Sequence, residues 1–303
     1  MRKAIGIDIG GTKIKGGIID EEGNILKSII LDTDANKGRN MVLKKVREII
    51  ENLIRNEKKV VGIGIGSPGA INIEKGKIEI LEGNMYNWSG VNLRTELNSF
   101  FDLPIFIEND ANLVGLCERW IGEGQNTDAF VVLTLGTGLG GSIYVKDDIL
   151  HGSDWRCGEI GHTILYPNGR ECKCGQKGCT EQYVSGRGIE KTYYEKTGIY
   201  LSSKEIFNRC SKGEQTVKET ISEFIENLAI LIITIKNMID PDKIIIGGGL
   251  VHSRDHWWKP MIDYYNNNCN ITKGTTIVTA RHLNNSGVIG GGKLVFENIS
   301  SDE

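Results

Sequence analysis

Apolar residues form two similar stretches of the chain, each interrupted near its middle by a glycine-containing turn. Ile5–Ile19 reads IGIDIGGTKIKGGII and Val131–Val145 reads VVLTLGTGLGGSIYV. Runs rich in Ile, Val and Leu predict strands, and the breaks predict hairpin turns. The breaks lie at Gly10, Gly11 and Thr12 and at Gly136, Thr137 and Gly138. Because such turns present backbone N–H groups and a hydroxyl, we expect two phosphate-binding halves that close on one nucleotide.

Between these hairpins and after them, helical and strand patterns alternate. Residues 40–56 and 216–239 show the apolar spacing of amphipathic helices, and the second of them ends before Pro241. Short apolar runs at Val60–Ile65, Ile105–Ile107 and Lys243–Ile246 predict further strands. The alternation predicts an α/β protein. We expect domains at 1–117 and 118–289, with a tail of about 290–303 returning to the first domain.

Composition and charge narrow the class of partner. The chain has 303 residues, 39% of them hydrophobic and 25% charged, with a net charge of −3 and a pI of about 6.0. This balance provides no basic surface for nucleic acid. The most apolar stretch, Leu228–Ile235, is too short to span a bilayer, and the first residues lead directly into a strand pattern. We therefore expect a cytoplasmic protein that binds a small molecule, without nucleic acid or membrane partners.

Two further features point to ATP and magnesium. Asp8 directly precedes the first glycine turn, which suits a carboxylate that holds Mg²⁺. A third glycine turn, Gly247–Gly249, follows the strand at Lys243–Ile246. Since α/β sheets bind ligands at the carboxyl ends of their strands, we expect adenosine there. Together these features predict phosphoryl transfer from ATP.

Phosphoryl transfer to a hydroxyl requires a carboxylate that orients the hydroxyl and takes its proton. Asp110 follows the strand at Ile105–Ile107 and is the candidate for this role. The alternative interpretation is that Asn109, Asp110 and Asn112 only cap the helix that begins near Ala111.

A cluster of soft ligands lies in the second half of the chain. Cys172, Cys174 and Cys179 form C-x-C-x₄-C, and His162 precedes them by ten residues. Four such ligands suit a closed, structural zinc site of the Cys₃His type, which leaves no position for water. Redox chemistry or accidental clustering is the alternative.

Two other glycine patterns lack the context of nucleotide-binding motifs. G-x-G-x-x-G occurs from Gly64 and again from Gly136, but neither example opens a helix as a dinucleotide-binding turn must. Gly287–Leu294 approaches a P-loop, but Leu294 stands where a Ser or Thr should reach Mg²⁺. We interpret both as coincidences.

Six separated motifs occur in order along the chain: DIGGTK from Asp8, ENDAN from Glu108, LGTGLGG from Leu135, CGEIGH from Cys157, CKCGQKGCTE from Cys172 and IIIGGG from Ile244. Together they resemble bacterial sugar kinases of the ROK family. The resemblance extends over almost the whole chain. It implies an actin-like (ribonuclease H-like) two-domain ATPase fold with a central cleft, and a homodimer.

The resemblance also implies roles for individual residues. Asp110 matches the catalytic aspartate, and sugar contacts are implied for Gly69, Asn84, Asn109, Asp110, Glu159, His162 and Glu181. The imidazole of His162 would use one nitrogen for zinc and the other for the sugar. The expected contacts to Mg·ATP are Asp8, Gly10, Gly11, Thr12, Lys13, Gly136, Thr137, Gly138, Gly248 and Gly249.

We therefore expect a kinase for the 6-hydroxyl of an N-acetylhexosamine. The runs GHT from Gly161 and SGRGI from Ser185 resemble N-acetylmannosamine kinases first and N-acetylglucosamine kinases next. A glucokinase or other hexose kinase is the alternative, and a sugar-independent ATPase a further one. A sugar-sensing ROK repressor is disfavoured, since seven residues before Asp8 leave no room for a helix-turn-helix.

Overall fold

The computed structural model of the chain describes residues 1–81, 85–210 and 213–299. These residues form two compact units. Unit 1 contains Met1–Gln125, Ile149–Cys157 and the C-terminal residues from Asn284, and unit 2 contains Asn126–Asp148 and Gly158–Leu283.

The elements alternate as an α/β protein requires. The strands are β1 Lys3–Ile9, β2 Lys13–Asp20, β3 Ile25–Asp32, β4 Val60–Ser67, β5 Ala70–Asn72, β6 Lys77–Ile80, β7 Ile105–Asn109, β8 Ala129–Leu135, β9 Leu139–Val145, β10 Asp148–Ile149, β11 Lys243–Gly247 and β12 Thr276–Thr279. The α-helices are α1 Arg39–Ile54, α2 Leu93–Asn98, α3 Asp110–Ile121, α4 Gly186–Thr197, α5 Ser203–Arg209, α6 Gln215–Ile239, α7 Trp258–Asn268 and α8 Ser286–Asn298.

Unit 1 is built on a five-stranded sheet of order β3-β2-β1-β4-β7. β1 and β2 form the predicted antiparallel hairpin, while β1, β4 and β7 are parallel. In this register Asp8 of β1 pairs with Gly66 of β4, and Gly66 pairs with Glu108 of β7. The carboxyl ends of these three strands therefore lie at one edge of the sheet.

Helices pack on unit 1's sheet according to the alternation of its side chains. The buried stripe of α1 joins the isoleucines of β1, β4 and β7 in one hydrophobic core. From the same strands, Gly6 and Gly64 face α8. The predicted helix over 40–56 is confirmed as α1. Residue 118, where the sequence suggested a domain boundary, lies inside α3.

The glycine-rich run Gly287–Leu294 belongs to α8, where sequence analysis predicted no helix. A Cβ on Gly290 would lie 1.9 Å from the carbonyl oxygen of Leu113 in α3, and one on Gly292 would lie 2.6 Å from Cβ of Ile19. These glycines let α8 pack closely on α3 and on the sheet. Because glycine is a weak helix former, the local sequence does not predict a helix here. Tertiary packing stabilises α8 instead.

Unit 2 carries a second five-stranded sheet, of order β10-β9-β8-β11-β12. β8 and β9 form the second predicted hairpin, and β8, β11 and β12 are parallel. The long helix predicted from residue 216 is confirmed as α6, whose apolar stripe is buried. Within the ranges that the structure describes, none of the helices combines the length and apolar character that a membrane span needs.

Candidate active site

The first hairpin of unit 1 ends in an accessible tip. The N–H of Gly10 donates to the carbonyl of Lys13 at 2.9 Å, which closes the turn. Buried Thr33 supports the tip, because its hydroxyl donates to the carbonyl of Gly10 at 2.7 Å. Gly11 and Thr12 are exposed. The turn is therefore held in shape from below, while its outer residues are free to meet a phosphate.

Asp8 lies at the base of this hairpin, beside the first turn of α8. A Cβ on Gly287 would come within 2.8 Å of the Asp8 carboxyl carbon. Burial raises the pKa of Asp8, and the nearby ammonium of Lys15 offsets part of this rise. The ionised form is therefore costly here, and a divalent cation would stabilise it. Lys13 points elsewhere, with its ammonium 2.6 Å from the carboxylate of Asp32 at the surface.

Asp110 is the first residue of α3 and follows β7 directly. Its neighbour Asn109 caps the helix, as the alternative interpretation expected: Oδ1 accepts from the N–H groups of Ala111 at 2.8 Å and Asn112 at 3.2 Å. The Asn109 amide also donates to the carbonyl of Gly69 at 3.1 Å. Asp110 is half-buried, and its own Oδ1 also accepts from the N–H of Ala111 at 2.9 Å, so Asp110 shares in capping the helix.

Gly66 brings Asp110 close to the sheet. A Cβ on Gly66 would lie 3.4 Å from the Cα of Asp110 and 2.7 Å from a methyl carbon of Leu113. Gly66 also stands between Asp8 and Glu108 in the strand register. Since neighbouring strands are about 4.8 Å apart, the backbones of Asp8 and Glu108 are separated by roughly 10 Å. Unit 1 therefore gathers the expected magnesium ligand and the expected base at one sheet edge.

The second hairpin, in unit 2, is closed and supported in a comparable way. The N–H of Gly136 donates to the carbonyl of Gly138 at 3.0 Å, and the N–H of Gly186 in α4 donates to Gly136 at 2.8 Å. The carboxylate of Glu181 accepts from the N–H of Leu139 at 2.9 Å. A Cβ on Gly138 would lie only 2.3 Å from that carboxylate. Glu181, for which the resemblance implies a sugar contact, therefore also holds this turn.

A cavity of about 650 Å³ adjoins this hairpin within unit 2. Its volume is in the range of small-ligand sites. Gly136, Thr137, Gly249 and the start of α4 line it. Sequence analysis did not assign the other lining residues to a nucleotide site, because they come from separate segments of the chain. These are Arg187, Glu190, Ser203, Lys204, Phe207, Asn208, Leu250, His252, Ser253 and His256.

The third glycine turn borders the same cavity at the carboxyl end of β11. Gly248 has φ 86° and ψ 174°, a conformation that essentially only glycine adopts. A Cβ on Gly248 would also lie 2.3 Å from the carbonyl oxygen of Leu135 in β8. For Gly249, no atom of the described residues lies within 4 Å of a Cβ. Gly248 shapes the turn, whereas Gly249 faces open space in the cavity.

The four expected zinc ligands are brought together in unit 2. They are His162, Cys172, Cys174 and Cys179, and their ligand atoms all lie within 4.8 Å of one another. Sγ of Cys172 is 3.7 Å from Nδ1 of His162, and Sγ of Cys174 is 3.5 Å from Sγ of Cys179. Tetrahedral zinc with these donors requires separations of about 3.5–3.8 Å. These two separations lie in that range, and three thiols with one imidazole are a donor set that suits zinc.

Short 3₁₀ helices connect this cluster to the two glutamates. Glu159 precedes the helix Ile160–His162, and its carboxylate lies 3.9 Å from Nε2 of His162, while Nδ1 faces the thiols. Glu181 lies in the helix Thr180–Gln182, directly after Cys179. A hydrogen bond of 2.8 Å from the N–H of Thr180 to the carbonyl of Thr163 joins the two segments.

The predicted site residues thus divide between the two units. Unit 1 holds Asp8, Gly10, Gly11, Thr12, Gly69, Asn109 and Asp110 near the carboxyl ends of its parallel strands and the adjoining hairpin. Unit 2 holds the second hairpin, Gly248, Gly249, Glu159, Glu181 and the Cys₃His cluster. Asn84 lies outside the described residues.

Comparisons with known proteins identify the family. A model of the ROK family matches residues 4–298. A glucokinase of Thermotoga maritima is 32% identical over 316 residues, covering 98% of both chains. A ROK family glucokinase of Streptomyces griseus, solved with glucose and AMPPNP, superimposes with a TM-score of 0.87 at 25% identity, covering 98% of this chain and 100% of its own.

A third similar protein, from Listeria monocytogenes, is described as a candidate N-acetylmannosamine kinase. Its structure has a TM-score of 0.86 at 27% identity and covers 97% of this chain and 99% of its own. These structural neighbours confirm the predicted actin-like, two-domain α/β class.

Proposed function

Because the chain belongs to the ROK family, we propose that it is an ATP-dependent sugar kinase that phosphorylates the 6-hydroxyl of an N-acetylhexosamine. N-acetylmannosamine is the preferred substrate in this proposal, and N-acetylglucosamine comes next. The observation that carries the kinase chemistry is the arrangement in unit 1. There, Asp8 pairs with Gly66 in the sheet, and the Cα of Asp110 lies 3.4 Å from the position that a Cβ on Gly66 would take.

Asp110 acts as the base in this proposal. Its carboxylate accepts the proton of the sugar hydroxyl while the hydroxyl oxygen forms a bond to the γ-phosphorus. The bond from that phosphorus to the bridging oxygen breaks, and ADP leaves. Asn109 fixes the first turn of α3 and so holds Asp110 in place.

The nucleotide is bound by backbone groups and by the cavity of unit 2. Its adenosine occupies the space beside Gly249, and the hairpins at Gly10–Thr12 and Gly136–Gly138 donate N–H groups to phosphate oxygens. Asp8 holds the magnesium ion, which when bound neutralises phosphate charge. The raised pKa of Asp8 supports this role, because a nearby divalent cation favours the ionised carboxylate.

Zinc has a structural role in this proposal. With three thiolates and one imidazole, its coordination is complete, so it activates no water. It holds the segments that carry Glu159 and Glu181, which contact sugar hydroxyls together with Gly69, Asn84, Asn109 and His162. The homodimer is also part of the proposal, and sedimentation analysis of the purified protein tests it.

The choice of sugar depends on the runs GHT and SGRGI and on the likeness to the Listeria protein. Glucose is the second candidate, because the Thermotoga glucokinase is 32% identical to this chain.

The test combines a base variant with a substrate panel. Asp110→Asn should lower kcat by about 10² or more, with the KM for sugar changed little, because it removes the proton acceptor but keeps the side-chain shape. Asp102→Asn, at an exposed position of the same unit, is the matched control and should leave turnover unchanged. Release of ADP is measured with N-acetylmannosamine, N-acetylglucosamine, glucose and no sugar.

Each outcome has a defined meaning. Near-normal turnover of Asp110→Asn contradicts the mechanism. A highest kcat/KM for glucose identifies a glucokinase, and rapid ATP turnover without sugar identifies a different ATPase. Sugar binding without any phosphorylation identifies a sensor.

A further inference from the structure

The carboxylate of Glu108 has no part in the mechanism above, yet it is almost completely buried. Glu108 is the penultimate residue of β7, and only 2% of it is exposed. Burial of a carboxylate is costly unless donors surround it. Oε1 accepts from the N–H of Asn109 at 2.7 Å and from the amide of Asn112 at 2.9 Å. Oε2 lies 2.7 Å from Nε2 of His151.

The first two donors lie on either side of Asp110. Asn109 is the last residue of β7, and Asn112 lies in the first turn of α3 with 5% of it exposed. One carboxylate therefore holds both the end of the strand and the beginning of the helix. The backbone of Asp110, which connects them, has little freedom to turn.

The third donor comes from a different part of unit 1, the segment Ile149–Cys157. The N–H of Cys157 donates to the carbonyl of His151 at 3.0 Å and closes a tight loop. The ring of Trp155 contacts the imidazole edge-to-face, with centroids 5.7 Å apart at 67°. Trp155 has φ 60°, a costly conformation for a bulky residue, which indicates that its surroundings hold it there.

The charge of Glu108 strengthens its contact with the imidazole of His151. Burial disfavours the imidazolium, but the hydrogen bond and charge of Glu108 outweigh it, so the pKa of His151 is raised. An ionised carboxylate can only accept, so Nε2 of His151 is the donor. A charge-assisted hydrogen bond of this kind is about twice as strong as a neutral one.

We propose that Glu108 and His151 form a positioning pair for Asp110, in which His151 fixes the Glu108 carboxylate and that carboxylate orients the strand-to-helix turn carrying the base. This inference rests on the proposed kinase function. The pair contacts neither sugar nor nucleotide in this proposal. Its loss misplaces the Asp110 carboxylate without removing a binding contact.

The variants are Glu108→Gln, which keeps the shape but removes the charge and replaces one acceptor oxygen with an NH₂ donor, and His151→Phe, which keeps a ring but removes the donor. Each should lower kcat about tenfold or more, because a displacement of about 1 Å at a reacting group can cost roughly 10² in rate. The KM values for sugar and ATP should change less than about threefold.

Combination with Asp110→Asn separates positioning from general stability. If the pair acts through the Asp110 carboxylate, Glu108→Gln and His151→Phe should lower the residual turnover of Asp110→Asn less than about twofold. Lys3→Met is the control: it breaks the 2.8 Å ion pair with Glu57 at the opposite end of β1, and should leave kcat unchanged.

The inference is overturned if either variant changes KM alone, or if its full effect on turnover persists in the Asp110→Asn background. It is also overturned if neither variant folds, because the pair then has a purely structural role. If only His151→Phe fails to fold, Glu108→Gln decides the question. Failure of the proposed function looks different: Asp110→Asn then keeps its turnover. If Asp110→Asn loses turnover while Glu108→Gln does not, only the positioning pair is wrong.

Discussion

Gly248 and Gly249 are adjacent glycines for which the structure predicts opposite responses to alanine. Gly248→Ala places a Cβ where φ is 86° and ψ is 174°, and where the carbonyl oxygen of Leu135 would be 2.3 Å away. Gly249→Ala places a Cβ in a position where no atom of the described chain lies within 4 Å. The pair therefore tests whether glycine is needed for backbone shape or only for access to the cavity.

The cost of Gly248→Ala has two parts. The glycine-only conformation costs about 1–3 kcal/mol for alanine. The overlap is with backbone atoms of β8, which cannot rotate away, and such overpacking costs about another 1–3 kcal/mol. The sum is about 2–6 kcal/mol in the free energy of unfolding. At about 2 °C per kcal/mol for a chain of this size, Tm should fall by roughly 4–12 °C.

Thermal unfolding without ligand measures this difference, and the KM for ATP measures its effect on the cavity. Gly249→Ala should keep Tm within about 2 °C of the parent, because it introduces neither strain nor overlap. Its KM for ATP should rise only modestly, whereas Gly248→Ala should raise it at least about tenfold by displacing the turn. Equal Tm values for the two variants would refute the reasoning, as would a larger loss of stability in Gly249→Ala.

Two further predictions concern the metals. Burial raises the pKa of Asp8 in the folded protein, so folding favours the protonated carboxyl. The free energy of unfolding therefore falls as the pH rises from the pKa of Asp8 in the unfolded chain, about 3.9, through its higher pKa in the folded protein. Asp8→Asn should therefore raise Tm at about pH 7 without Mg²⁺ and change it little near pH 4. The same variant should abolish Mg²⁺-dependent turnover. An unchanged Tm at both pH values would contradict the argument from burial. Cys174→Ser should reduce the bound zinc, measured by elemental analysis, and lower Tm. The matched control Cys269→Ser should change neither the zinc content nor Tm. A parent protein that is fully stable and active without zinc would exclude a structural metal.

Local patterns were sufficient for part of the secondary structure. The hairpins formed by β1–β2 and by β8–β9 are confirmed, and so are α1 and α6. In each of them, the apolar period reports which face is buried, and that information is contained within a few neighbouring residues. The run in α8 shows the limit of this approach. Its glycines oppose helix formation locally, and only close packing against α3 and the sheet compensates for them.

The sequence by itself determined which residue types stand beside the glycine turns, the composition of the Cys₃His set and the position of Asp110 after a buried strand, because motif and spacing are local. Only the tertiary structure decided what those residues touch. It placed Glu181 against Gly138, assembled the cavity from α4, α5 and the turn after β11, and brought His151 to Glu108. These contacts join residues far apart in the chain, so their partners are chosen by strand register and packing, which no local pattern encodes.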